Sequence, residues 1–138
     1  MKKEFLMHPI GCIRKKESST FIEIDPQYKD ALLGLEGFSH IQVLYWFHEN
    51  DDSENRNILQ VRPRRNPKNP LTGVFATHAP VRPNLIAVST CKIESMDGTI
   101  IKIDDIDARD GSPIVDIKCY VPEKRAFTKL KLPDWIKE

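Results

Sequence analysis

The feature that most constrains the fold of this chain is its division into short apolar runs separated by Pro, Gly, Asp and Asn. The runs are rich in β-branched and aromatic residues and are shorter than ordinary helices, which is typical of strands. Many short strands with few helices favour a compact antiparallel barrel or sandwich. The predicted strands span 5–14, 19–25, 39–48, 56–63, 72–77, 84–94, 99–107 and 113–122.

The run SHIQVLYWFH, residues 39–48, carries the clearest alternation. With the two-residue period of a strand, one face is predicted to be core and the other mixed. The core face holds Ile41, Val43, Tyr45 and Phe47, and the mixed face holds His40, Gln42, Leu44, Trp46 and His48.

Two local signals complete the secondary-structure prediction. Asp97-Gly98 predicts a hairpin between its flanking strands. The segment DPQYKDALLGLEGF, residues 25–38, is predicted to form the one short helix, with Asp25 as its N-cap and Pro26 at its first position.

The 138 residues suffice for one hydrophobic core but not for two, so we expect a single domain over residues 1–138. No apolar run approaches the roughly 20 residues of a membrane span. The basic N-terminus lacks the apolar stretch of a signal peptide, so we expect a cytoplasmic location. The cysteines are odd in number and far apart, so we expect reduced, mostly buried thiols and no metal site.

Charge is distributed unevenly along the chain. Residues 55–93 contain no acidic residue and seven basic ones, whereas the rest of the chain has 14 basic and 20 acidic residues. Such a stretch favours an anionic partner such as nucleic acid, a phosphate or a carboxylate ligand. The alternative is that some of these arginines pack their stems over apolar surface.

Within that stretch, RPRRNPKNPLT (residues 62–72, here called the arginine loop) is proline-rich and basic. It is therefore predicted to be a surface loop rather than a central strand. Its candidate RNA contacts are Arg62, Arg64, Arg65 and Lys68.

The arginine loop is followed by GVFATHAPVRPN (residues 73–84, here called the corner segment). Pro80 and Pro83 restrict the backbone on both sides of Arg82, so its guanidinium can be aimed at a carboxylate or phosphate with little loss of entropy. Asn84 is expected either to brace the turn through its own backbone or to contact the ligand.

Four blocks of this sequence resemble, in order and spacing, the TsaA-like (TrmO-type) family. They are DALLGLEGFSHIQVLYWFHEN, a loop containing Pro-Arg, GVFATHAPVRPNLIAVS and DARDGSPIVDIKCY. The resemblance covers about residues 9–122. It implies a β-barrel that binds S-adenosylmethionine, usually as a homodimer, and that methylates N6 of threonylcarbamoyladenosine beside the anticodon of threonine tRNA.

The corner segment departs from the family pattern, ATRSP-x-RPNPIGLS, at several positions. His78 replaces an arginine, and because the charge of histidine changes near neutral pH, a contact made there is expected to depend on pH. Ala79 also differs from the pattern, as do Leu85, Ala87 and Val88 immediately after the corner segment. The first loop, KKESST, is shorter than the family's usual loop, which carries a Pro-Arg-Gln element that contacts the cofactor.

S-adenosylmethionine needs an apolar or aromatic slot and hydrogen-bond partners for its ribose, ammonium and carboxylate groups. The resemblance places the candidate contacts at the end of the aromatic strand, in and shortly after the corner segment, and at the Asp-Gly turn. They are Tyr45, His48, Glu49, His78, Pro80, Arg82, Asn84, Val88, Asp110, Gly111, Ser112 and Pro113. Taken alone, Asp110-Gly111 is equally typical of a hairpin turn, and the sequence assigns no catalytic residue.

Three functions fit these observations. The first, which we expect, is an S-adenosylmethionine-dependent tRNA methyltransferase. The second is a non-catalytic barrel that binds nucleic acid or a nucleotide-like ligand. The third is a methyltransferase that acts on a small molecule.

Overall fold

A computed structural model describes residues 2–125 and 127–136 of the chain. The chain divides into two compact units. Unit 1 comprises Met1–Glu49 and Ile86–Tyr120, and unit 2 comprises Asn50–Leu85 and Val121–Glu138. The single domain expected over residues 1–138 stays a prediction.

Unit 1 is built on a closed antiparallel barrel with the strand order β1-β2-β7-β6-β3-β8. Closure removes the exposed strand edges that an open sheet would leave. The mainly β fold is thus confirmed, as a barrel and not a sandwich. The strands are β1 (Gly11–Lys16), β2 (Ser19–Ile24), β3 (His40–Trp46), β6 (Ile86–Asp97), β7 (Ile100–Ile103) and β8 (Pro113–Cys119).

The barrel interior is filled mainly by β-branched side chains. Along β3 the predicted alternation is confirmed, because Ile41, Val43 and Tyr45 are buried while the residues between them are partly exposed. β-branched side chains suit the pleated inner face of a small barrel. The remaining large residues of unit 1 with almost no exposed surface are Ile13, Ile22, Cys91, Ile101, Ile103 and Ile114.

The hairpin predicted from Asp97-Gly98 joins β6 to β7. Asp97 pairs with Ile100, so Gly98 and Thr99 form the two-residue loop. Gly98 has a φ of 63°, in the left-handed region that glycine adopts without strain.

Two predicted elements of unit 1 differ in the structure. Residues 5–10 are not a strand, and Phe5 and Leu6 are more than four-fifths exposed. The predicted helix over residues 25–38 is instead two 3₁₀ helices, Pro26–Leu32 and Leu35–Gly37. The Asp25 side chain makes no capping hydrogen bond. Gly34, between the two 3₁₀ helices, lies in the left-handed region at φ 89°, which interrupts the helix there.

Unit 2 contains short elements: α1 (Ser53–Arg56), β4 (Gln60–Val61), β5 (Thr72–Gly73) and the 3₁₀ turns Pro63–Arg65, Val74–Ala76 and Asp134–Ile136. A further 3₁₀ turn, His48–Asn50, follows β3. The strands predicted over 56–63 and 72–77 shrink to β4 and β5, which pair with each other. Nearby prolines remove backbone N–H donors, so the ladder cannot extend.

All three cysteines are free, but only Cys91 is buried, whereas Cys12 is half-buried and Cys119 is exposed. The expectation of mostly buried thiols is therefore wrong for Cys119. Burial raises the pKa of the Cys91 thiol to about 11, which keeps it protonated at neutral pH. None of the helices in the described part of the chain has the length and apolar run that crossing a lipid bilayer demands.

Gly11 lies where β1 faces β2, opposite Ile24. A Cβ atom at residue 11 would collide with the backbone carbonyl oxygen of Glu23. We expect Gly11→Ala to lower the free energy of unfolding by about 1–3 kcal/mol, because the two strands would have to separate. Gly37→Ala is the control, since its added Cβ meets no atom within 4 Å. Equal urea-unfolding midpoints for the two variants would contradict the prediction.

Candidate functional site

In unit 1, hydrogen bonds hold the connection from β7 to β8 (residues 104–112) against the barrel at several points along its length. Its first carboxylate, Asp104, accepts hydrogen bonds from the N–H groups of Lys92 and Asp105 at 2.9 and 2.8 Å. Burial opposes ionisation of Asp104, but these hydrogen bonds outweigh it and lower the pKa of the carboxyl group. Further along, Lys15 Nζ donates to the carbonyl of Ile106 at 2.7 Å.

The connection ends in the Asp-Gly turn Asp110–Pro113, here called the rim turn. The Ser112 N–H and Oγ both donate to the carbonyl of Arg109, at 3.1 and 2.6 Å. In the four-residue turn 109–112 that the Ser112 N–H closes, Gly111 is the third residue, and its φ of 82° is the left-handed conformation that glycine adopts at that position. The turn does not form a β7–β8 hairpin, because β8 pairs with β1 and β3.

The rim turn is attached to β1 by three hydrogen bonds. Gly111 N–H donates to the carbonyl of Ile13 at 2.7 Å, and Ile13 N–H donates to the carbonyl of Ser112 at 2.9 Å. Asp110 Oδ1 accepts from the N–H of Lys15 at 2.8 Å. The rim turn therefore has one fixed position relative to the barrel, as a binding element requires.

Tyr45 belongs to the barrel interior rather than to the surface. Its ring is buried, and its hydroxyl donates to the carbonyl of Asp107 at 2.5 Å. Burial raises the pKa of the phenol, so the hydroxyl stays protonated and remains a donor at neutral pH. Tyr45 thus holds the 104–112 connection, and a cofactor contact by its ring stays a prediction.

The other predicted contacts of unit 1 lie in exposed or half-buried positions. Glu49 Oε1 is 3.5 Å from Arg109 Nε, but both side chains are more than half exposed, so the pair contributes little stability. His48 begins the 3₁₀ turn that follows β3, and Val88 is an exposed residue of β6.

In unit 2, the corner segment is stabilised by its own polar groups. Thr77 is buried, and its Oγ1 donates to the carbonyl of Val74 at 2.9 Å and accepts from the N–H of Ala79 at 3.1 Å. Pro80 is held from outside the segment, since Asn50 Nδ2 lies 3.5 Å from its carbonyl oxygen.

Arg82 makes one set of contacts within the corner segment. Its Nη1 donates to the carbonyls of Thr77 and Ala79 at 3.2 and 3.0 Å. Among residues 2–125 and 127–136, no hydrogen-bond partner is found for Nε or Nη2. Those two nitrogens form the edge of a guanidinium that binds a carboxylate or phosphate with two parallel hydrogen bonds.

Sequence reasoning did not assign a role to Arg56, which anchors the end of the corner segment. Its Nε donates to the carbonyl of Pro83 at 2.9 Å, and its Nη2 lies 3.4 Å from Asn84 Oδ1. Asn84 therefore contacts Arg56 instead of bracing the turn through its own backbone. No local pattern could have revealed this contact, because it joins residues far apart in the sequence. His78 is exposed.

The prediction that the arginine loop is a surface loop and not a central strand is confirmed, and hydrogen bonds within the loop order its backbone. Arg62 Nη1 donates to the carbonyl of Asn69 at 2.9 Å, and Asn69 Nδ2 donates to the carbonyl of Pro63 at 2.8 Å. Arg64 and Arg65 have φ values of 59° and 54°, a left-handed conformation that costs about 1–2 kcal/mol per residue. Arg64, Arg65 and Lys68 are exposed.

The predicted site residues thus fall into two groups. Unit 1 holds Tyr45, His48, Glu49, Val88 and the rim turn, and unit 2 holds His78, Pro80, Arg82, Asn84 and the arginine loop. Sequence reasoning missed the residues that hold each group in place, Lys15 and Asp107 in unit 1 and Arg56 and Thr77 in unit 2. Among the described residues, no group of three or more His, Cys, Asp or Glu side chains is placed to hold a metal ion.

Comparison with known proteins gives matches over most of the chain. The family model described as the tRNA-methyltransferase O N-terminal domain matches residues 3–125. A probable S-adenosyl-L-methionine-binding protein of Pyrococcus horikoshii is 49% identical over 120 residues, which cover 87% of this chain and 85% of that protein. A tRNA (adenine(37)-N6)-methyltransferase of Escherichia coli is 41% identical over 97 residues, which cover 67% of this chain and 40% of that enzyme.

The fold also matches a solved structure. The crystal structure of TrmO from Pseudomonas aeruginosa superposes with a TM-score of 0.73 and 28% sequence identity. The match covers 98% of this chain, which in turn spans 63% of the length of that one. The barrel is therefore shared with a solved protein whose chain is longer.

The hydrogen bond between Tyr45 and Asp107 gives a direct test of the site's architecture. We expect Tyr45→Phe to lower the free energy of unfolding by about 1 kcal/mol, because the Asp107 carbonyl is left without its donor in a partly buried position. Tyr120→Phe, at a residue that is 40% exposed, is the control and should leave the unfolding midpoint unchanged. An unchanged midpoint for Tyr45→Phe would contradict the assigned role.

Proposed function

Because the chain belongs to the tRNA-methyltransferase O N-terminal domain family, we propose that it is an S-adenosylmethionine-dependent methyltransferase that acts on tRNA. The family match over residues 3–125 carries the proposal. Relatives named as tRNA (adenine(37)-N6)-methyltransferases support N6 of an adenine as the acceptor. The finer acceptor, threonylcarbamoyladenosine beside the anticodon, is the one that the sequence resemblance implies.

The corner segment fits one part of the cofactor. S-adenosylmethionine carries a carboxylate, and the Nε–Nη2 edge of Arg82 offers two donors in a fixed orientation because Nη1 is already held by Thr77 and Ala79. The fixed guanidinium loses little entropy on binding. We propose that this edge binds the cofactor carboxylate.

When bound, the cofactor supplies a methyl group on a positively charged sulfonium sulfur. The chain's own residues have to align the acceptor nitrogen with the methyl group and exclude water, because methyl transfer is an in-line displacement. As N6 forms its bond to the methyl carbon, the carbon–sulfur bond would break and leave a neutral thioether, and N6 would give up a proton, for which no residue of this chain is assigned as the base. The rim turn, Tyr45, His48, Glu49, His78 and Val88 stay predicted cofactor contacts.

A second function, cofactor binding without catalysis, is favoured by one observation. Several relatives are named only as probable S-adenosyl-L-methionine-binding proteins. Both functions require the cofactor, so only the acceptor distinguishes them. The homodimer and the cytoplasmic location likewise stay predictions.

Transfer of a tritiated methyl group from the cofactor to total tRNA tests the proposal. We expect label in the RNA and, after digestion, in an N6-methylated adenosine. Cofactor binding without label in tRNA would support a binding protein, and label transferred only to small molecules of a cell extract would support the third function. Absence of cofactor binding would contradict the proposal entirely.

Arg82→Lys tests the proposed carboxylate interaction. Lysine keeps the charge but cannot offer two parallel donors, so we expect cofactor affinity to fall at least about tenfold in titration calorimetry, as when one charged hydrogen bond is removed. The control is Lys92→Arg, an exposed substitution in unit 1. If Arg82→Lys binds like the wild type, Arg82 only braces the corner segment.

The proposed contact between the arginine loop and tRNA is tested by removing two positive charges while keeping the hydrogen bonds that order the loop. The variant Arg65→Asn with Lys68→Gln leaves Arg62 and its hydrogen bond to Asn69 intact, and asparagine tolerates the positive φ at residue 65. Each tRNA phosphate that is no longer neutralised should reduce the slope of log tRNA affinity against log salt by roughly 0.7 to 0.9, with unchanged cofactor affinity. The control is Lys16→Gln with Lys29→Gln in unit 1, and equal slopes for both variants would exclude the loop as an RNA-binding element.

A further inference from the structure

The segment 121–136 belongs to the same compact unit as the arginine loop, although about fifty residues separate them in sequence. It contributes four exposed basic residues, Lys124, Arg125, Lys129 and Lys131, against two acidic ones. With them, the described residues of unit 2 hold ten basic and five acidic side chains. The excess of positive charge in unit 2 therefore extends beyond the acid-free stretch of the sequence.

A cation–π interaction joins this segment to the arginine loop. The guanidinium carbon of Arg64 lies 5.9 Å from the ring centroid of Trp135, which is half-buried in the 3₁₀ turn Asp134–Ile136. This distance is within the range in which an aromatic ring attracts a cation. Because Arg64 holds an unfavourable left-handed backbone conformation, an interaction that fixes its side chain also favours that loop conformation.

The segment also exposes apolar and aromatic surface. Phe127 is 56% exposed, and the guanidinium carbon of Arg125 lies 4.9 Å from its ring centroid. Exposed rings interspersed with cations are typical of surfaces that stack unpaired bases and neutralise the backbone of single-stranded nucleic acid. The segment is not an amphipathic membrane-binding helix, because residues 121–125 and 127–133 are not helical.

We propose that residues 121–125 and 127–136 form a second RNA-binding element, whose basic side chains bind tRNA phosphates and whose Trp135 positions Arg64 of the arginine loop. This inference rests on the proposed function of the chain in tRNA methylation. Trp135 acts through Arg64 and is a positioning residue. Phe127 is the ring available for stacking on an unpaired base.

The first experiment measures binding of a fluorescently labelled tRNA transcript to the full chain by anisotropy, over a series of salt concentrations. The test variant neutralises the four cations of the segment, and asparagine at residue 129 suits its φ of 58°. We expect affinity at least about tenfold weaker and a log–log salt slope smaller by about 0.7 to 0.9 for each phosphate left without its cation. The substitutions are Lys124→Gln, Arg125→Gln, Lys129→Asn and Lys131→Gln.

A matched control neutralises four exposed lysines of unit 1, and it should change the slope less than the test variant does. Equal losses in the two variants would mean that net charge alone is measured, and would overturn the inference. Weaker binding of the test variant to anionic phospholipid vesicles with unchanged tRNA binding would overturn it in favour of a lipid surface. The control substitutions, to Gln, are at Lys3, Lys16, Lys29 and Lys92.

A double-mutant cycle tests the role of Trp135. If Trp135 acts through Arg64, Trp135→Leu combined with Arg64→Ala should weaken tRNA binding no more than Arg64→Ala alone, and Trp135→Phe should retain most of the affinity. Additive losses would overturn the positioning role.

Titration of S-adenosylmethionine into each variant separates this inference from the proposed function. If the wild type binds both tRNA and cofactor, and the variant without the four cations still binds tRNA as the wild type does, this inference alone is overturned. A wild type that binds no tRNA would overturn both.

Discussion

The barrel closes through a short ladder, in which β1 and β8 share only the pairs Gly11–Ile114 and Cys12–Pro113. Gly11 also pairs with Ile24 on its other side, and only glycine fits there without pushing β1 away from β2, because a Cβ atom would meet the backbone of Glu23. Residues adjoining these two strands extend the ladder. Ile10 N–H donates to the carbonyl of Ile114, and the rim turn exchanges hydrogen bonds with Ile13. The strand pairing that closes the barrel therefore also fixes the Asp110–Pro113 turn that is predicted to contact the cofactor.

In unit 2, prolines remove backbone N–H donors that would otherwise pair with its carbonyl groups in a sheet. Arginine side chains donate hydrogen bonds to several of these carbonyl groups instead. Arg56 binds the carbonyl of Pro83, Arg62 that of Asn69, and Arg82 those of Thr77 and Ala79. The same guanidinium groups that give this unit its positive charge thus order its irregular backbone. A structural role and a proposed ligand-binding role are compatible in Arg82 because its nitrogens can be divided between them.

Charge is segregated between the two units. The described residues of unit 1 carry ten basic and fourteen acidic side chains, whereas those of unit 2 carry ten basic and five acidic ones. The acid-free stretch 55–93 predicted part of this separation from the sequence. The rest came from residues 121–136, which join unit 2 only because the chain returns to it after β8. A unit with an excess of cations suits a polyanionic substrate.

The sequence by itself determined the mainly β class, the inward face of β3 and the β6–β7 hairpin, because side-chain periodicity and turn glycines are local signals. It also determined the family, through blocks such as GVFATHAPVRPN. It failed at residues 5–10, where apolar content predicted a strand that the structure lacks, and at residues 25–38, where Asp25 and Pro26 predicted one helix that Gly34 interrupts. The resemblance implied a barrel, but only the tertiary structure decided which strands pair to close it, the Tyr45–Asp107 hydrogen bond and the pairing of Arg56 with the corner segment. Each of these joins residues distant in sequence, and no local periodicity encodes which distant donor meets which carbonyl.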